Sequence, residues 1–145
     1  MDAMYDSQSE NLFSMIGRVL GLKILSEADM FRVAERRISP RAFKRAVAKL
    51  NLPSGLIGPD ATIRRRLREN ERLTKAESER LLRVVRVYAE ATRLFGTETM
   101  SAHWMNTPAP FVQDREPVKP FELAVSDSGA RLLESLILRT TYGML

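Results

Sequence analysis

Apolar positions along the chain recur at helical spacing, and alternation with period two never lasts more than a few residues, so the pattern predicts an all-α protein. Residues 12–22 form an apolar lead-in ending at Gly21, after ten polar residues expected to fray. A short helix after Ser26, over residues 27–37, is expected to turn Met30, Phe31 and Ala34 inward. Ser39 before Pro40 is a strong helix start, because serine caps free amides and proline suits the first helical position. That helix runs to about Leu50, with Phe43, Ala46, Val47 and Leu50 on the buried stripe and Arg41, Lys44, Arg45 and Lys49 crowding the other side.

Residues 53–59 hold two glycines and two prolines, which predicts one short helical turn carrying Leu56 and Ile57, then a corner. The next helix, capped by Asp60 or Thr62, is anchored by Ile63 and Leu67 one turn apart. With that pair inward, Arg65, Arg68 and Arg72 point away, while Arg64 and Arg66 flank the seam. Thr74 and Glu77 then make a capping box ahead of a stripe of Leu81, Val84, Val85, Tyr88, Ala91 and Phe95, ending at Gly96. This long helix is expected to be the spine of the molecule. A short helix over residues 99–105 carries Trp104, a proline-rich loop follows with one turn near residues 121–124, and Ser128-Gly129 lead into a last helix. Its inward face is Leu132, Leu133, Leu136, Ile137 and Thr140, and Leu138 broadens the apolar surface beyond one stripe.

Charge adds a division along the chain. Residues 1–30 sum to −3, residues 31–75 to +9 and residues 76–145 to −1, within a total of +5 over 145 residues. An excess confined to one segment points to a polyanion, and 18 of the 23 basic residues are Arg, which suits bidentate phosphate and guanine contacts. A solvated basic face is the bland alternative. A chain of this length buries roughly 70% of its unfolded surface and needs neither metal nor crosslinks. With no cysteine, disulfide scaffolds, Cys-based zinc sites and thiol catalysis are excluded, and a reducing compartment fits. The longest apolar stretch is too interrupted for a bilayer span and the acidic start is unlike a secretory signal, so a soluble cytoplasmic protein is expected. His103 is the sole histidine, and one ligand does not make a metal site. No carboxylate pair, Ser/His/Asp set or phosphate loop stands out, so the expectation is a non-enzyme with no cofactor and no metal.

Several segments, in order, carry a resemblance. Thr62-Ile63-Arg64-Arg65-Arg66, the run from Glu77 to Val84, Leu94-Phe95-Gly96, the run Ala102-His103-Trp104-Met105-Asn106-Thr107-Pro108, Pro117, Ser128-Gly129 and Tyr142-Gly143 together look like the Xre/MbcA/ParS antitoxins. The resemblance covers about three quarters of the chain, from Ser39 onward. It implies an N-terminal extension over residues 1–25, an Xre-like helix-turn-helix DNA-binding domain over residues 26–75, and a toxin-binding domain over residues 76–145. It also implies an antitoxin that blocks the active site of a RES-domain, NAD-consuming toxin and represses its own operon, as a homodimer matching a palindromic operator.

On this reading Arg64, Arg65, Arg66 and Arg68, supported by Arg41, Lys44 and Lys49, lie on operator DNA, with Thr62 and Arg65 nearest the base edges. The toxin-binding residues are Trp104, Arg131, Leu138, Tyr142, Gly143, Met144 and Leu145, the last four at the toxin's active-site entrance. The chain departs from the pattern at residues 53–58, where a proper helix should precede the recognition helix. A stand-alone helix-turn-helix regulator whose C-terminal half only dimerises remains the alternative.

Overall fold

In the computed structural model, which describes residues 11–141 and Gly143, eight helices appear and no strand. They are α1 (Leu12–Leu20), α2 (Glu27–Arg36), α3 (Pro40–Leu50), α4 (Asp60–Arg68), α5 (Lys75–Phe95), α6 (Glu98–Met105), α7 (Pro120–Ala124) and α8 (Asp127–Thr141). The first ten residues, expected to fray, lie outside the described residues.

Local chemistry sets the helix ends. Asn11, Ser26, Ser39, Thr74 and Thr97 each accept a backbone N–H of the first turn through the side chain. The capping box is present, with Thr74 Oγ1 accepting from Glu77 N at 3.1 Å and Glu77 Oε1 from Thr74 N at 2.8 Å. α4 differs from its expectation at both ends. Its N-cap is Pro59, which offers no side-chain acceptor, and the Asp60 carboxylate instead accepts from the Ser54 hydroxyl at 2.6 Å. It stops at Arg68 because Asn70 adopts a left-handed conformation (φ 55°) and the Asn70 and Glu71 amides return to the Leu67 and Arg66 carbonyls. Arg72 is therefore not on the helix. Residues 53–59 contain turns but no helical turn, as their glycines and prolines favour.

α5 is the centre of the packing. Leu81, Val84, Val85, Val87, Tyr88, Ala89 and Ala91 are all buried, because α1, α2, α6, α7 and α8 all pack against this helix. The core is continuous through all three predicted segments: Ile16, Val19 and Leu20 of α1 belong to it, as do Phe43 and Leu50 of α3 and Phe121, Leu133 and Ile137 near the end. α1, placed by sequence in an N-terminal extension, is thus part of the packed body. Phe31, expected inward, is 64% exposed, since α2 turns Met30 and Ala34 toward α5 instead. Thr140 is exposed, although the pattern placed it on the inward face of α8.

The tightest junction is at Gly129, on the first turn of α8, where an added Cβ would lie 1.9 Å from the Leu123 carbonyl oxygen. Gly129→Ala is expected to force α7 and α8 apart and cost about 2–3 kcal/mol, read as a lower urea midpoint with unchanged slope.

Candidate functional site

Two surfaces stand out, one basic and one apolar. On the basic surface, Arg41 and Lys44 of α3 and Arg68 of α4 are exposed and have no carboxylate partner among the described residues. Thr62, on α4, is half-buried. Lys49 stands 3.7 Å from Glu98 of α6, and Arg45 lies over Gly21 and donates to the Arg18 carbonyl at 3.2 Å.

The arginine run of α4 is less free than its spacing predicts. Arg64 pairs with Asp60, and Arg65 lies 3.4 Å from Glu69 and 3.0 Å from Glu71. Such exposed pairs contribute about 0–1 kcal/mol and exchange readily for phosphate. Arg66 is different: its side chain is 15% exposed, and its Nε lies 3.1 Å from Glu77, whose side chain is 8% exposed. Arg80 donates to the Ile57 carbonyl at 2.8 Å in the same region, so these groups tie α4 and the preceding loop to the start of α5. Arg66 is therefore set apart from the other arginines of α4, turned toward the fold and against a buried carboxylate. Arg72, predicted to point outward from the helix, instead donates to the Arg37 carbonyl at 2.7 Å.

The apolar surface is a groove of about 450 Å³ at the C-terminal end of α5. Leu94 and Phe95 of α5, Trp104 of α6, Pro110 and Phe111 of the following loop, and Leu136, Ile137 and Thr140 of α8 line it. Trp104 packs against Phe95 (ring centroids 5.7 Å apart) and edge-on against Phe111 (6.0 Å). Its position depends on α6, which Ser101 ties to α5 by donating to the Tyr88 carbonyl at 2.9 Å. Burial pushes the Tyr88 hydroxyl up to about 12, with the Glu98 carboxylate contributing.

Of the other residues expected to contact the partner, Leu138 is 57% exposed on the last helix. Arg131 is exposed and pairs with Asp127 at 2.9 Å. Gly143 adopts a left-handed conformation (φ 67°) and returns its amide to the Thr140 carbonyl at 3.1 Å. Tyr142, Met144 and Leu145 lie outside the described residues.

One cluster escaped the sequence reasoning altogether. One turn below the groove, Glu90 of α5 meets Glu134 of α8, and Glu90 Oε1 is buried with no donor. Burial pushes the Glu90 carboxyl up to about 8, reinforced by the adjacent Glu134. Arg86, one turn earlier on α5, is paired with Glu27 of α2, stands 3.6 Å from Glu134 and lies over the Phe13 ring. That pairing holds the Glu27 carboxyl below its ordinary value and the Arg86 guanidinium above its own. The only available signal was the four-residue spacing of Arg86 and Glu90 on a helix otherwise covered by apolar contacts.

No group of His, Asp and Glu among the described residues is arranged to hold a metal ion, and no helix is long and apolar enough to cross a membrane. Comparison with known proteins finds no matching family model and no matching curated protein.

The two kinds of arginine separate by stability. Arg66→Ala leaves Glu77 buried without its cation and is expected to cost about 3 kcal/mol in denaturant unfolding, while Arg68→Ala stays within about 0.5 kcal/mol of wild type.

Proposed function

We propose that this chain is an antitoxin that neutralises a RES-domain, NAD-consuming toxin by steric block and represses its own operon. The observation that carries the reading is the groove around Trp104. An open apolar groove with three aromatic side chains offers the buried anchor that a stable protein interface needs. The last turn of α8 contributes Thr140 to its lining, two positions in sequence before the apolar closing residues Tyr142, Met144 and Leu145. Docking covers the groove and directs Tyr142, Gly143, Met144 and Leu145 into the toxin's entrance, where they exclude the dinucleotide. No catalytic step is assigned to this chain.

Operator binding is the second part of the proposal. Arg41, Lys44 and Arg68 supply the uncommitted charge, and Arg64 and Arg65 join once phosphates displace their surface carboxylates. With Arg66 committed to Glu77, this surface suits grip on the phosphate backbone better than base reading. The homodimer enters only as the symmetry match to a palindromic operator. The exposed Leu138 favours a second reading, in which the C-terminal half pairs two copies of a stand-alone regulator.

Deleting residues 142–145 is expected to leave folding and operator binding intact but restore toxicity in cells that express the neighbouring toxin gene; full protection by the truncated protein would overturn the steric block. Trp104→Ala should weaken the copurifying pair by about 30-fold, the factor that corresponds to loss of an anchor worth about 2 kcal/mol. If the chain purifies only with itself, the second reading takes over. On its own promoter, a variant with Arg41, Lys44 and Arg68 all changed to Ala should lose about 3 units of log-log salt slope in a gel shift. An unchanged slope removes operator binding from the proposal.

A further inference from the structure

The Glu90 and Glu134 pair lies at the most extensive helix seam of the fold, between α5 and α8. The next turn of each helix carries groove residues: Leu94 follows Glu90, and Ile137 follows Glu134. Glu90 has one oxygen buried and lacking any donor, with Glu134 as its neighbouring carboxyl, and two such neighbours attract only while a proton lies between them. Once both are ionised they repel in a medium that screens poorly.

The surroundings do not remove that conflict. On α5, Arg86 and Arg93 face Glu90, but Arg86 is held by Glu27 of α2 and stands 3.6 Å from Glu134. α1 meets Arg86 with the Phe13 ring, and Glu98 of α6 is engaged elsewhere, with Arg18, Lys49 and Tyr88. Glu122 of α7 is exposed. We propose that Glu90 and Glu134 form a proton-operated latch, holding the α5–α8 seam closed beneath the groove when they share a proton and parting it when both ionise. The consequence for docking rests on the groove being the toxin-binding surface; the latch itself does not.

The sign of the stability effect follows from where the proton is held. Folding raises the Glu90 carboxyl from its ordinary 4.5 to about 8, so between those values the folded protein keeps a proton that the unfolded chain has released. The contribution is complete below 4.5, declines as pH rises and is gone above about 8.

Trp104 is the only tryptophan in the chain and lines the groove, so its emission reads the seam with no partner present. Across a titration of the whole chain, the emission is expected to shift to the red and acrylamide quenching to rise, with a midpoint at about 8. Melting temperature should fall by roughly 5–10 °C between acidic and alkaline buffer. Glu90→Gln should abolish the emission step, because a neutral amide has no proton to lose. Glu134→Gln should move the midpoint down, because its amide donates to the ionised Glu90; this second variant keeps the test decisive if the first fails to fold. A flat wild-type titration, or a step that survives in both variants, overturns the latch. Neither result touches the docking proposal, which stands or falls on residues 142–145 and Trp104.

Discussion

Packing helices against α5 removes water from most of its circumference, and that constraint decides where charge can sit in this chain. Apolar side chains in its middle turns are buried, the larger ones such as Leu81, Val84, Val85 and Val87 each contributing on the order of 1.5–3 kcal/mol if fully removed from water. A polar group on such a helix must find a partner or stay neutral. Glu77 at the start meets Arg66, Arg86 in the middle meets Glu27, and Glu90 meets a second carboxylate, Glu134, with one of its own oxygens lacking any donor. The three outcomes come from one cause, burial of the central helix, and differ only in what the neighbouring helix supplies.

The same constraint separates the two halves of the basic segment. α3 lays its apolar stripe into the core and leaves Arg41 and Lys44 in water, so their charge is available to a polyanion. α4 is short and is anchored by Ile63 and Leu67, with Arg66 fastened beneath it. Arg64, Arg65 and Arg66 are therefore held against Asp60, Glu69, Glu71 and Glu77, of which only Glu77 comes from outside the segment and lowers its excess. Which cations a nucleic acid would meet uncommitted depends on pairing, and pairing is a matter of distance between side chains.

At the other end of α5 the packing is incomplete in a way that matters for binding. Phe95 and Phe111 each pack against Trp104 but the cluster is not sealed by α8, which passes with Leu136 and Ile137 toward the gap and Leu138 toward solvent. Monomeric proteins seldom leave aromatic clusters open. The carboxylate pair one turn below gives this opening a means of control that the groove residues themselves lack.

Read alone, the order of residues was enough for the helices whose ends carry their own chemistry. Ser39-Pro40, the Thr74 and Glu77 box and Gly96 each satisfy or release backbone groups locally, so those boundaries needed no tertiary information. The apolar stripe of α5 was legible for the same reason, since periodicity is a property of neighbours in sequence. The exposure of Phe31 and the inward turn of Arg66 were not, because each depends on which surface another helix happens to cover. The groove around Trp104 and the Glu90–Glu134 contact belong to that second group. They arise where α5, α6 and α8 converge from distant parts of the chain, and only the folded arrangement brings two acids together or leaves an aromatic cluster uncovered.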